Sequence, residues 1–179
     1  MDSFTFTPAD DFLPLSVLRK VQERHLREHL AYCKAKSPHY RKMLSGIEPE
    51  TFPLERLGEL PTTGKDELAA DVESFQAAPW SEVEDVVFSS GTTGEPCRVV
   101  YTGSDMRRLA YNELRCFHAA GLTRDDRVLL TCTLDRCFVA GMAYYLGVRA
   151  LGASAIRNGL NSIESHLQVM NSLHPTALV

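Results

Sequence analysis

Arg127-Val128-Leu129-Leu130-Thr131-Cys132 reads as a β-strand, and the elements after it decide the fold class. Residues Phe138 to Leu151 form an apolar helix of buried character. Ser154-Ala155-Ile156-Arg157 is a second strand. Asn161-Ser162-Ile163-Glu164 is an N-cap with Glu at N3, opening a helix whose apolar face is Ile163, Leu167, Met170 and Leu173. Pro175 precedes a third strand, Thr176-Ala177-Leu178-Val179. Strands alternating with helices imply right-handed crossovers and a parallel sheet. The fold class is therefore α/β, with a βαβαβ unit. A parallel strand is normally covered on both faces. Val179 falls inside the last strand, so the pattern reads as part of a larger domain, and its open edge predicts self-association into a homo-oligomer.

Upstream, Thr102-Gly103-Ser104-Asp105 is a capping-box start for a helix with its buried stripe at Met106, Leu109, Ala110, Leu114 and Phe117. Gly121 ends that helix at the C′ position. Before it, residues 83–89 and 97–102 alternate well enough to pair as a hairpin. Their connection is Phe88-Ser89-Ser90-Gly91-Thr92-Thr93-Gly94-Glu95-Pro96. Gly91 and Gly94 remove Cβ where the backbone turns tightly or approaches a ligand. The hydroxyls of Ser89, Ser90, Thr92 and Thr93, with consecutive N–H groups, could cradle a polyanion such as a triphosphate. The spacing excludes the Walker loop, because no Gly-Lys-Ser/Thr follows and the next element is a strand. The alternative is a Ser/Thr/Gly-rich hairpin loop without a ligand.

The first part of the chain is helical and loop-rich. Residues 1–14 form an irregular lead-in. From Ser16 to about Lys36, Leu18, Val21, Leu26, Leu30 and Cys33 mark an amphipathic helix. Ser37-Pro38 stops it, and His39 to Leu44 make one more turn. Within the helix, His25-Leu26-Arg27-Glu28-His29 matches the H-x-x-E-H zinc-hydrolase pattern. That chemistry needs a third protein ligand and an enclosed cleft, whereas this helix is among the most charged in the chain, so a solvated face is expected. Gly46 to Pro61 has no sustained period. Leu60-Pro61-Thr62-Thr63-Gly64 and Lys65-Asp66-Glu67-Leu68 spell two sorting signals that act near a C-terminus, and both are internal here. Thr62 or Thr63 is the expected N-cap of a short helix over Lys65 to Ala70. Residues 1–82 thus make a helical N-terminal segment and 83–179 an α/β segment with the phosphate loop, both parts of one incomplete domain.

Composition narrows the class. The 179 residues are 44% hydrophobic and 23% charged, with a net charge of −4. This describes a globular chain without a nucleic-acid footprint and without an apolar run of the ~18 residues a membrane helix needs. Five cysteines with no C-x-x-C pair, in a chain lacking an export signal, read as reduced and mostly buried thiols in the cytoplasm.

The S-S-G-T-T-G-x-P core over Ser89–Pro96 resembles the phosphate loop of the adenylate-forming superfamily. The order of further motifs narrows the resemblance: Ser37-Pro38-His39-Tyr40-Arg41, Leu60-Pro61-Thr62-Thr63-Gly64-Lys65-Asp66-Glu67-Leu68, Val100-Tyr101-Thr102-x-x-Asp105, Ala119-Ala120-Gly121-Leu122 and Leu151-Gly152-Ala153. Together these are similar to the phenylacetate–CoA ligase branch, from about residue 30 to the end, over well under half of a member's chain. The resemblance implies an N-terminal part of an acyl- or aryl-CoA ligase. Such enzymes condense a small carboxylic acid with ATP into an acyl-adenylate and pass the acyl group to CoA. It also implies that Ser89, Ser90, Gly91, Thr92, Thr93 and Gly94 hold the β- and γ-phosphates beside Mg²⁺.

Three departures qualify what is implied. Glu95 and Cys97 stand where basic residues are common in the family, leaving Mg²⁺ or Arg98 to supply positive charge. Thr133-Leu134-Asp135-Arg136 replaces an aromatic, Gly-rich stretch beside the acyl pocket. An aryl-acetate is therefore in doubt, and Asp135, Arg136 and Phe138 become candidate substrate contacts; Arg136 could pair with a substrate carboxylate or with Asp135. The family's adenine, ribose and catalytic-lysine motifs lie downstream of Val179, so the chain alone is expected not to turn over. The alternative is a non-catalytic nucleotide-binding or protein-interaction module derived from that family.

Overall fold

Val128, Leu129 and Leu130 have no solvent exposure at all, the signature of a strand covered on both faces. In the computed structural model they belong to β3 (Arg127–Leu130), the central strand of a three-stranded parallel sheet. The structure describes residues 12–89 and 96–179, which group into two units. The first contains the α/β elements: β1 (Val83–Phe88), β2 (Arg98–Thr102), α5 (Gly103–Ala119), β3, α6 (Val139–Leu151), β4 (Ser154–Arg157), α7 (Ile163–Leu173) and β5 (Ala177–Leu178). Arg98, at the start of β2, groups with the second unit.

The strand order is β4-β3-β5, with Val128 opposite Ala155 on one side and Ala177 on the other. β1 and β2 pair as a separate two-stranded sheet, as their alternation predicts. β3 stops at Leu130, but Thr131 still donates its N–H to the Val179 carbonyl at 2.7 Å, which carries the β5 pairing one step further. Phe117 and Val148 close the core over the sheet with Val128, Leu130 and Ala153. Fully burying each Val or Leu side chain contributes about 1.5–3 kcal/mol, so β3 and its cover anchor this unit.

Helix ends follow local chemistry. Thr102 caps α5 in a reciprocal box: Asp105 N–H donates to Thr102 Oγ1 at 3.3 Å, and Thr102 N–H donates to Asp105 Oδ2 at 2.9 Å. Gly121, at φ +89°, follows the C-cap Ala120 as expected. α6 begins one residue later than its apolar run, with Phe138 as N-cap. In α7 the cap is Ser162, which accepts from Ser165 N–H at 3.3 Å. Ser165 therefore holds N3 and Glu164 holds N2, correcting the box expected from Asn161.

The second unit is built on α1 (Leu15–Lys36), α2 (Pro38–Met43), α3 (Lys65–Ala70) and α4 (Val72–Phe75). Its core is Leu30, Leu44 and Phe52, flanked by Leu26, Cys33, Tyr40, Ile47 and Leu60. The aperiodic stretch after Gly46 contains two 3₁₀ segments, Pro49–Thr51 and Leu54–Glu59. Arg27 Nε and Lys34 Nζ donate to the carbonyls of Phe52 and Ile47 at 3.0 and 2.6 Å, tying this stretch to α1. Ser37 does more than end α1. It is 1% exposed, caps α2 by accepting from Tyr40 N–H at 3.4 Å, and donates its hydroxyl to the Ser74 carbonyl at 3.0 Å. The cap of α3 is Gly64 rather than a threonine. Its N–H donates to Glu67 Oε2 at 2.8 Å, while Thr63 Oγ1 lies 3.5 Å from Tyr40 Oη.

All five cysteines are free, but only Cys97 is buried and Cys116 and Cys137 are exposed, so the expectation of mostly buried thiols fails. No described helix is long and apolar enough to cross a membrane.

Candidate functional site

The hydroxyl-rich stretch leaves β1 at Phe88. The Phe88 N–H donates to the Cys137 carbonyl at 3.1 Å, which joins the start of that stretch to the segment after β3. Ser89 is half-buried there. Ser90, Gly91, Thr92, Thr93 and Gly94, with Glu95, lie outside the described residues. Arg98, a candidate source of positive charge for the loop, is already engaged. Its Nη2 is 2.8 Å from Glu73 Oε1 and 3.1 Å from Gln76 Oε1, and its guanidinium lies 5.0 Å from the centre of the Trp80 ring.

The segment joining β3 to α6 is tightly folded. The Thr133 hydroxyl contacts the Asp135 carboxylate, Asp135 N–H donates to Thr133 Oγ1 at 3.3 Å, and Phe138 N–H donates to the Asp135 carbonyl at 3.2 Å. Arg136 and Cys137 both take left-handed backbone conformations, at φ 59° and 55°. For residues with a Cβ this costs about 1–3 kcal/mol each, and the turn redirects the chain so that Cys137 reaches Phe88. A Cβ on Gly141 would overlap the Thr133 carbonyl, so glycine is what lets the first turn of α6 sit against this segment.

Residues 133–136 and 157–160 line a cleft of 420 Å³. Residues 133–136 follow β3 and 157–160 begin at the last residue of β4, so the cleft lies at the carboxyl ends of two adjacent parallel strands, where open α/β sheets bind ligands. Asp135 and Arg136 are thus brought together in the cleft lining, whereas Phe138, 46% exposed at the N-cap of α6, is not among the residues that line it. Arg136 Nε is 3.9 Å from Asp135 Oδ1 with both side chains largely exposed, a pairing of at most about 1 kcal/mol.

The lining also takes in Arg157, Asn158 and Gly159, which no sequence motif marks. Their signal is positional, since they sit at the carboxyl end of β4 as 133–136 lie beyond that of β3. The Arg157 guanidinium lies 5.2 Å from the centre of the Tyr145 ring. Asn158 is held from three directions. Its N–H donates to the Leu130 carbonyl at 3.2 Å, its Oδ1 accepts from Ser165 Oγ at 3.3 Å, and its Nδ2 lies 2.8 Å from His166 Nδ1.

The histidines of α1 form a different arrangement. His25 Nδ1 is 3.2 Å from Glu28 Oε2, and His29 Nε2 is 3.5 Å from Cys33 Sγ, whose thiol is pushed up by burial. Among the described residues no three His, Cys, Asp or Glu side chains are placed to share a metal ion.

No family model matches the chain. A phenylacetate–coenzyme A ligase of Thermus thermophilus is 31% identical over 177 residues, covering 97% of this chain and 40% of that protein. One from Pseudomonas putida is 30% identical over 169 residues, covering 92% and 38% respectively. The similarity therefore extends further toward the N-terminus than residue 30, from which the motifs imply it. Among solved structures, a 2-hydroxyisobutyryl-CoA ligase in complex with 2-HIB-AMP and CoA superposes with a TM-score of 0.84 over 99% of this chain and 42% of that one, at 22% identity. That likeness is one of fold.

Proposed function

We propose that this chain, which is similar over nearly its whole length to phenylacetate–CoA ligases and spans about 40% of the length of those curated relatives, carries the triphosphate loop and part of the acid pocket of an acyl- or aryl-CoA ligase of the adenylate-forming superfamily. In the reaction so assigned, a carboxylate oxygen bonds to the α-phosphorus of ATP while the bond to pyrophosphate breaks. The thiol of CoA then displaces AMP from the acyl-adenylate. Charge builds on the leaving pyrophosphate. N–H and O–H dipoles from the Ser89–Gly94 stretch, gathered on the pyrophosphate, would stabilise it, and Mg²⁺ would enter with the nucleotide.

The observation that carries this reading is the Phe88–Cys137 hydrogen bond. It sets the start of the hydroxyl-rich stretch beside a segment that lines a cleft at the strands' carboxyl ends. An acid held in that cleft would have its carboxylate near the nucleotide phosphates. The same reading places the protein in the cytoplasm, where ATP and CoA are at hand and five free cysteines stay reduced.

The test is MgATP binding by the 179-residue chain and by its Gly91→Ala and Gly94→Ala variants. Each substitution is expected to weaken binding at least tenfold. Unchanged affinity in both defeats the loop assignment, and the chain would then be read as a non-catalytic relative serving protein interaction.

A further inference from the structure

The cleft after β3 and β4 is the wrong chemistry for an unsubstituted aromatic ring. Its lining holds two arginines, Arg136 and Arg157, against one carboxylate residue, Asp135, and its other polar side chains are those of Thr133 and Asn158. The two cations are not equivalent. Arg136 has Asp135 beside it, and the Asp135 carboxylate is itself occupied by the Thr133 hydroxyl. Arg157 is steadied by Tyr145, and no described carboxylate forms an ion pair with it. Asn158 accepts from Ser165 and spends one amide hydrogen on His166. An amide nitrogen carries two hydrogens, so a second remains. A phenyl ring here would strip water from a guanidinium and an amide donor without replacing their hydrogen bonds. A carboxylate would satisfy both, taking the planar Arg fork and the remaining amide hydrogen.

We propose that this cleft selects acids whose far end carries a second carboxylate, that is, short dicarboxylic acids. Arg157 is the charge partner and Asn158 the hydrogen-bonding partner of that distal group. The inference rests on the ligase reading for the other end of the molecule, where one carboxylate must reach the nucleotide. It also separates this chain's substrate class from the phenylacetate named in its relatives.

The test is ligand-observed NMR titration of the 179-residue chain with glutarate and with phenylacetate at matched ionic strength, repeated on Arg157→Gln and Arg136→Gln. Glutarate is expected to bind at least tenfold more tightly than phenylacetate. Arg157→Gln should abolish that preference with an unchanged melting midpoint, and Arg136→Gln should retain most of it. Phenylacetate binding as tightly as glutarate overturns the proposal, as does an Arg157→Gln chain that keeps the preference, or no binding of either acid. Displacement of glutarate by an equal concentration of inorganic phosphate overturns it too, because the cleft would then be a general anion site. MgATP titrated into the same samples reports on the ligase reading separately. If MgATP binds but glutarate is not preferred, the substrate class alone fails; if glutarate is preferred but MgATP does not bind, the loop assignment alone fails.

Discussion

Gly141 is a residue whose role no pattern announces. It sits in the first turn of an apolar helix, where alanine would be the better helix former, yet a Cβ there would collide with the Thr133 backbone carbonyl. Backbone cannot swing aside as a side-chain end can, so Gly141→Ala should destabilise the α/β unit by about 1–3 kcal/mol, the usual range for overpacking. It should also displace the segment lining the cleft. Urea unfolding monitored by far-UV circular dichroism would register the loss, and a midpoint equal to the parent's would refute the close contact.

Asp126 offers a second test at this scale. Its carboxyl is held below the ordinary aspartate value of 3.8, first by the Thr123 N–H, then by the Thr176 hydroxyl, with the Thr123 hydroxyl and Arg127 adding to the effect. The Thr123 N–H and Thr176 hydroxyl bonds are both 2.7 Å. A carboxyl depressed in the folded state contributes stability above its unfolded value, and that contribution is lost as the pH falls from about 3.8 through the folded value. Asp126→Asn should therefore melt below the parent at neutral pH, with the gap closing in acid. A gap that stays constant across that range would show that the charge plays no part.

Among the elements, α5 is the one whose start was fully legible. Thr102 and Asp105 sit three apart, as a capping box demands, and both reciprocal bonds form. Removing the hydroxyl in Thr102→Ala should cost about 1 kcal/mol, read as a lower denaturant midpoint with an unchanged slope. A changed slope would mean that the helix end unfolds independently of the rest. The caps of α3 and α7, Gly64 and Ser162, differ from the sequence expectation for a shared reason. Several cap-capable residues stand in a row at Thr62-Thr63-Gly64 and Asn161-Ser162, and which one leaves helical geometry depends on where the preceding chain arrives. The strands fared better. β3 is a run of residues buried on both faces, and such a run has few alternatives once helices flank it.

For the whole molecule, α7 shows where periodicity misleads. Its stripe at Ile163, Leu167, Met170 and Leu173 has the spacing of a buried face, but Ile163 is 73%, Leu167 53% and Leu173 48% exposed. Leu178 on β5 is exposed as well. Exposed apolar side chains at helical spacing favour association when they meet a like surface, and the side of β5 away from β3 is unpaired among the described residues. The chain should self-associate as its concentration rises, and Ile163→Lys with Leu167→Glu should shift it toward monomer. Sedimentation velocity across a concentration series decides the matter; a clean monomer throughout would mean that this face is harmless in solution.

The α/β class, the parallel sheet, the hairpin pair and the family resemblance were all determined by the sequence alone. Each rests on short-range signals, such as apolar runs, caps, turn residues and a nine-residue motif from Phe88 to Pro96, that are complete within a few residues. Asp135 and Arg136 were legible as candidates because they break the family's pattern. Only the tertiary structure could decide that Arg157 and Asn158 share their cleft and that Arg98 is spent on Glu73. It alone could show that Phe88 is hydrogen-bonded to Cys137 and that Ser37 anchors Ser74. Those pairings join residues far apart in the chain. Their partners are set by the order and register in which strands and helices pack, a property of the assembled fold that no local stretch contains.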